Sequence, residues 1–338
     1  MRPAEDAAIK RELLMPVPTS SVQLISYRRP DVLTICLERL AAQALAPSEI
    51  IVVWQADDVD TRDAAERFRD KLPCPLLVVH SPEAGVVAAE NAGLDAGSGE
   101  ILLLLDDDSV VPPDWVRRHL AHYSDPIVGA VGGSADNFCD GAFLPKRSAE
   151  PIGTITWFGR ALGRMHDQLP EWRSRPPIEV MHIVGYNMSI RRDAFDRFEP
   201  GLRAYWQMFE MDACLQARSR GYRVLFDYAN VIEHHPRSAV FDGSREGDLA
   251  VKIYNGAYNH AFILAKHRPW RIWQLAYLLM VGSVAAPGLV AFPVAMKRFG
   301  NVRRESGILG RTMRSHLAGW RDGLAARSSH VLTPKFCE

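Results

Sequence analysis

Ile101-Leu102-Leu103-Leu104-Leu105-Asp106-Asp107-Asp108 sets five apolar residues directly against three carboxylates. A short continuous apolar run reads as a buried strand, and strands buried on both faces belong to parallel sheets. Three adjacent acids repel one another, so leaving them unpaired is costly. A divalent cation holding a diphosphate resolves that conflict, because hard cations prefer oxygen ligands. The competing reading is a solvated acidic turn ahead of Pro112-Pro113.

Working outward, the pattern predicts strands over 22–26, 50–54, 76–80 and 101–105. Helices are expected over 31–43, with Asp31 as N-cap, from Asp60 or Thr61 to 70, and over 86–96. Strands alternating with helices imply an α/β fold with a mostly parallel sheet and right-handed crossovers. Ligands of such sheets bind beyond the carboxyl ends of the strands. Ser26, Asp57, Asp58 and the three acids 106–108 all follow predicted strand ends, where a ligand belongs.

The remainder of the 338 residues is less regular. Residues 132–180 are rich in Gly, Pro and aromatics and read as loops and short strands. Strands are expected at 182–184 and 187–190 around Gly185, a helix over 209–220 ending at Gly221, and short strands at 224–227 and 231–233. A helix is expected over 248–266. Residues 272–296 then carry no charge and are flanked by Arg268, Arg271, Lys297 and Arg298. The length matches one membrane span, but Gly282, Pro287, Gly288 and Pro293 interrupt it and both flanks are basic. A re-entrant or interface-lying pair of short helices fits better; a buried apolar hairpin in a dimer interface is the alternative. The Arg-rich stretch to Ala326 suits an anionic lipid surface or a solvated basic helix.

Composition excludes several classes. Lys plus Arg (40) equals Asp plus Glu (40), so there is no signature of a nucleic-acid partner. The five cysteines are scattered, with no Cys-x-x-Cys, which argues against a zinc knuckle or disulfide framework and for reduced thiols. Residues 1–18 are charged, lack a long apolar core and read as a loose tail rather than a secretory signal.

Several segments in one order resemble the family-2 glycosyltransferases of GT-A fold, over roughly residues 20–240. They are VQLISYRRP at 22–30, SEIIVV at 48–53, and Gly85 with Ala88, Ala89, Asn91 and Gly93. Asp106-Asp107-Asp108 stands at the Asp-x-Asp motif, Gly185-Tyr186-Asn187-Met188-Ser189 at the acceptor-side loop, Phe209-Glu210-Met211-Asp212 at the Glu-Asp motif, and His234 with Ser238 at the late histidine segment. Three positions depart from the family pattern: Trp54-Gln55 replaces an Asp that bonds the base, Glu90 stands where Arg is common, and Phe209 where Glu is usual.

The resemblance implies a GT-A (Rossmann-like) catalytic domain at 19–242; the residue pattern beyond it gives a helical, partly apolar C-terminal region at 243–338 with a membrane-associating segment at 272–296. The resemblance implies metal-dependent, inverting transfer from a UDP-, GDP- or dTDP-sugar, and the C-terminal segment suggests a saccharide or lipid-linked acceptor at the cytoplasmic, inner face of the cell membrane. Asp108 and His234 would ligate Mn²⁺ or Mg²⁺, since imidazole joins carboxylate oxygen around Mn²⁺. Ser26, Arg28, Gln55, Asp57, Asn91, Asp106 and Asp107 would line the donor site. Gly185, Tyr186, Asn187 and Trp206 would face the acceptor, with Trp157 a further sugar platform. The general base is Glu210 or Asp212; two positions apart on a helix they point in different directions, and Glu210 is preferred.

Other classes fit less well. A sugar nucleotidyltransferase would want a Gly-rich, basic phosphate loop near the N-terminus. No Gly-x-x-x-x-Gly-Lys-Ser/Thr or Gly-x-Gly-x-x-Gly follows the first strand. A non-catalytic glycan-binding or assembly protein on a degenerate GT-A fold is the non-enzyme alternative, suggested by Trp54 and Phe209.

Overall fold

The computed structural model describes residues 17–139, 142–143, 151–162, 165–204, 208–236, 249–268, 271–283, 288–290 and 307–328. The expectations for the tail 1–16, Trp206, Ser238, 284–287 and 291–296 lie outside the described residues.

The first strands are β1 (Ser20–Ser26), β2 (Glu49–Gln55), β3 (Leu76–Ser81), β4 (Ile101–Asp106), β5 (Ser109–Val110) and β6 (Val128–Cys139). They are followed by β7 (Ala142–Phe143), β8 (Thr154–Ile155), β9 (Ala161–Leu162), β10 (Ile178–Glu179), β11 (Asn187–Arg191) and β12 (Arg223–His234). The α-helices are α1 (Pro30–Ala41), α2 (Val59–Glu66), α3 (Val86–Ala96), α4 (Trp115–Ala121), α5 (Phe209–Ser219), α6 (Leu249–His267), α7 (Ile272–Met280) and α8 (Ile308–Ser328).

Ten strands share one sheet in the order β10-β12-β6-β11-β4-β1-β2-β3, with β5 beside β12 and β7 beside β6. β4, β1, β2 and β3 run parallel. β11 runs antiparallel between β4 and β6, and β12 is parallel to β6. The apolar run lies in the middle: Ile101 to Leu105 are each at most 3% exposed. Leu103 pairs with Val22 of β1, and Leu105 with Asn187 of β11. A one-residue slip of β4 would draw Asp106 inside, at several kcal/mol for an uncompensated charge. The acids thus help to set the register.

Two strand expectations are corrected. Residues 182–184 form no strand; Met181 and His182 instead donate their amides to the Gly153 carbonyl. The stretches 224–227 and 231–233 belong to one strand, β12, with a register shift against β6 between Asp227 and Val231. The Asp227 carboxylate caps that bulge by accepting the Ala229 amide at 2.9 Å.

The C-terminal helices join the same core, which includes Phe262, Leu264, Leu278 and Trp320. A buried polar knot fastens α6 to α5. Lys266 Nζ lies 2.7 Å from Glu199 and 3.0 Å from Asp212, and His267 Nε2 donates to Asp212 at 2.8 Å. Gln216 adds a 2.7 Å bond to Asp212. Burial alone would raise the Asp212 pKa, but His267 and Lys266 outweigh it and bring it to about 2. α8 seats two glycines on the α6 backbone: a Cβ at Gly319 would lie 2.1 Å from the Tyr258 carbonyl, and one at Gly323 2.2 Å from that of Phe262. Among the described residues, no helix is long and apolar enough to cross a membrane.

Removing the Asp212 charge leaves buried Lys266 with Glu199 alone and His267 without its acceptor. Asp212→Asn is expected to lower stability in urea unfolding by about 3–5 kcal/mol. The folded-state value of Asp212 is below its unfolded 3.8, so its contribution is full at neutral pH and is lost as pH falls through about 2; the wild-type and variant stability curves should converge toward that acid limit. Gly323→Val should lower the melting midpoint, since overpacking costs about 1–3 kcal/mol.

Candidate active site

The three acids at the end of β4 take three different environments. Asp107 is fully buried, accepts the Ser26 hydroxyl at 2.6 Å and pairs with Arg29 at 2.5 Å. Burial pushes it up to about 7 against the pull of Arg29. Asp108, also buried, pairs with Arg29 at 3.0 Å and lies 3.1 Å from His234 Nε2. Asp106 has a side chain 41% exposed at the cleft and lies 3.6 Å from the same nitrogen. Ser26 and Asp107, expected to contact the donor, are therefore bound to each other, and Asp107 also to Arg29.

His234 closes the group. It ends β12, where it pairs with Ser109 of β5, and its Nδ1 lies 2.8 Å from Asn137 Oδ1. Asn137 is held by Asp167, which accepts its backbone amide at 2.9 Å. Because Asn137 presents an oxygen, Nδ1 carries the proton and donates. In the neutral ring Nε2 then directs a lone pair at Asp106 and Asp108. It lies directly against those carboxylates, 3.6 and 3.1 Å away. One ligand atom from each of Asp106, Asp108 and His234 falls within a common span of 4.8 Å. Two carboxylate oxygens and one imidazole nitrogen suit a divalent cation such as Mn²⁺. Without one, the carboxylates outweigh the effect of burial and pull His234 up to about 9.

Glu210 lies in the first turn of α5, and its Oε1 accepts the Gly185 amide at 3.0 Å. A Cβ at Gly185 would lie 3.0 Å from that oxygen and press on the Glu210 side chain. Burial raises Glu210 to about 7, with Asp106 adding repulsion. The next residue, Tyr186, is buried and stacks on His234 at 5.8 Å and against His166 at 4.5 Å. Gly185-Tyr186 thus touches both Glu210 and the acid–histidine group. Asp212 faces the other way, into the α6 knot, and is fully buried.

Beyond β1 and β2 a cavity of about 380 Å³ is lined by Arg28, Pro30, Asp57, Asp58, Val59 and Asp60. Arg28 and Asp57 meet at 3.4 Å, with Asp57 82% exposed. Gln55 is buried; its Oε1 accepts the Gly85 amide at 2.8 Å. Trp54 stacks on His80 at 3.9 Å. All four non-glycine residues with left-handed backbone among those described flank these features: Arg28, Ala56, Asp167 and Met208. Strained backbone collects where side chains must be aimed.

Two expected ligand groups serve as braces. Asn91 bonds both backbone polar atoms of Phe198, at 2.9 and 3.1 Å. Asn187 accepts from Trp115 Nε1 at 2.8 Å and His119 Nε2 at 3.0 Å, and donates to the carbonyls of Ser134 and Asn230. Burial holds His119 down at about 4, so it is neutral; its Nδ1 accepts from Ser189, which accepts from Tyr123. Asn187 therefore faces the interior. Arg29 was not among the site residues the sequence singled out; the unpaired charge of three adjacent acids was the signal for it. Nothing local marked Asn137 or Asp167.

The sequence model of the family described as "Glycosyl transferase family 2" matches residues 21–198. The chain is 30% identical over 176 residues to the succinoglycan biosynthesis protein ExoM of Rhizobium meliloti, covering 51% of this chain and about half (52%) of that protein's length. It is 27% identical over 277 residues to glycosyltransferase AglE of Haloferax volcanii, covering 80% and 83%. Its fold matches GalNAc-T7, solved with UDP, GalNAc and Mn²⁺, at a TM-score of 0.60 and 15% identity, over 78% of this chain and 51% of that one. With a GT-A sheet and more than half of its length matched by the family, the chain belongs to glycosyl transferase family 2.

Proposed function

We propose that this chain transfers a sugar from a nucleotide-sugar donor to a hydroxyl of a saccharide or lipid-linked acceptor, by a single inverting displacement assisted by Mn²⁺ or Mg²⁺. The reading is carried by one observation: Gly185-Tyr186 touches both Glu210 and the group Asp106–Asp108–His234, so a base and a cation site face one cleft. The relatives named as glycosyltransferases and the fold neighbour holding UDP and Mn²⁺ support it.

Asp106, Asp108 and His234 would hold the metal, which when bound stabilises charge on the departing diphosphate as a Lewis acid. Arg29 fixes Asp108, and Asn137 fixes the His234 tautomer, so both are oriented before the ion arrives. Arg28, Gln55 and Asp57 bound the donor side. There the Asp57 carboxylate can accept from a base N–H, which compensates for the Asp absent at Trp54-Gln55.

Glu210 is the base. Held by the Gly185 amide, it takes the acceptor proton as the oxygen attacks the anomeric carbon from the face opposite the diphosphate. Its value of about 7 places it near working pH, where a base is most effective. Asp212, held at about 2 by cations, is too weak a base for this and serves to anchor α5. We assign the chemistry to 19–242, with the helices of 243–338 as its support.

Glu210→Gln can still accept the Gly185 amide. It should keep donor binding while losing about 10²–10⁴-fold in transfer rate. In the wild type the rate should fall as pH drops below about 7, because the base must be ionised. Full transfer by the Gln variant would exclude this base. A thermal-shift screen of UDP-, GDP- and dTDP-sugars with and without Mn²⁺ tests the donor and metal directly. Asp108→Ala and His234→Ala should each abolish the Mn²⁺-dependent part of the shift; no shift with any donor in the wild type would overturn the reading.

A further inference from the structure

α7 reads IWQLAYLLM, with no charge, yet only Gln274 and Leu278 are buried. Ile272, Ala276 and Met280 form an outward row, with Ile272 61% exposed. Beyond α7 the chain turns back at Gly282, which has a left-handed φ of 93°. Leu289 and Val290 then donate their amides to the carbonyls of Leu279 and Met280, at 2.9 and 2.7 Å. The return adds Val290, 64% exposed, beside Met280.

The turn between β8 and β9 supplies the other edge. Trp157 stacks on Trp273 at 5.2 Å and Phe158 on Tyr277 at 5.3 Å, and both keep more than half of their surface exposed. The turn is fixed: Gln274 donates to the Trp157 carbonyl at 2.9 Å, and His260 bonds that of Gly159 at 2.8 Å. Folding has therefore left one rigid, contiguous apolar and aromatic surface in contact with water, which proteins rarely keep without a partner.

Charge identifies the partner. Arg271, the residue before α7, lies over the Trp157 ring at 4.9 Å, and Arg268 reaches the Met181 sulfur. Among the described residues neither guanidinium has a carboxylate partner. Burial, with Arg271 and Arg218 nearby, lowers Arg268 to about 10. A second copy docked face to face would bring two more uncompensated arginines, and no carboxylate from this surface, into the same interface. An anionic surface neutralises them, and Trp and Tyr favour the boundary between headgroups and acyl chains.

We propose that α7, its return segment and the β8–β9 turn form a monotopic docking site for an anionic lipid bilayer. The apolar side chains enter the headgroup boundary, and Arg268 and Arg271 meet lipid phosphates. The site does not depend on the catalytic reading, but it is wired to that region: His267, in the last turn of α6 just before it, bonds Asp212 two residues from Glu210.

The full chain is to be co-sedimented with vesicles of phosphatidylcholine containing phosphatidylglycerol, and with phosphatidylcholine alone. Binding is expected to the anionic vesicles and to weaken with salt. Ile272→Glu/Met280→Glu should reduce partitioning at least about tenfold, and Arg271→Ala severalfold. Circular dichroism and melting midpoints should be unchanged for both. Ile127→Glu, at an exposed apolar residue outside this surface, is the control and should bind as wild type. The proposal is overturned if the wild type stays in the supernatant, or if the double variant binds equally well. It is equally overturned if size exclusion shows a dimer that the double variant splits without any vesicle binding, which would make the face a contact between copies.

Discussion

Charge crowding at the end of β4 is the constraint on which the rest of the molecule depends. Three carboxylates emerge together from a strand whose apolar residues are all buried, and the protein neutralises them from two directions. Arg29 arrives from the turn after β1, and His234 from the far end of the last strand. The sheet order makes this possible: β1 adjoins β4 directly, while β12 reaches across through β5. Coulombic attraction among partly buried groups is screened little by solvent, so the same contacts that secure the centre also gather Asp106, Asp108 and His234 into a group able to hold a cation.

The first turn of α5 shows how environment divides labour between like residues. Glu210 and Asp212 are two positions apart. One faces the cleft, held only by backbone amides, and is raised to about 7. The other faces Lys266 and His267 and is lowered to about 2. Two carboxylates with values pushed apart by their surroundings are the pattern expected where one acts on protons and the other holds structure. Since Asp212 is the anchor of α6, the C-terminal helices bear directly on the position of Glu210.

Much of this was legible from one-dimensional pattern. The apolar run 101–105 and the alternation before it specified a parallel sheet, because burial on both faces demands uninterrupted hydrophobicity. Asp106, Asp108, Gly185, Glu210 and His234 were identifiable as a set because the acid-rich strand end and the order of motifs point to one chemistry. The braces were harder. Asn91 and Asn187 carry amides equally suited to a ligand or to backbone groups, and only their neighbours decide which. The bulge in β12 was read as a break between two short strands, since the register shift that carries the strand past residues 228–230 exists only in its pairing with β6.

By itself, then, the sequence determined the fold class, the place of the acids beyond a buried strand, and the presence of an uncharged segment between basic flanks. Those follow from hydrophobic periodicity and local charge, which need no knowledge of partners. Only the tertiary structure decided that Asp107 turns inward to Ser26 and Arg29, that Asp212 belongs to Lys266 and His267, and that Trp157 meets Trp273 rather than a site in the cleft. Each of these depends on contacts between residues far apart in the chain, where direction and burial set the free energy of a charge or ring and residue type alone does not.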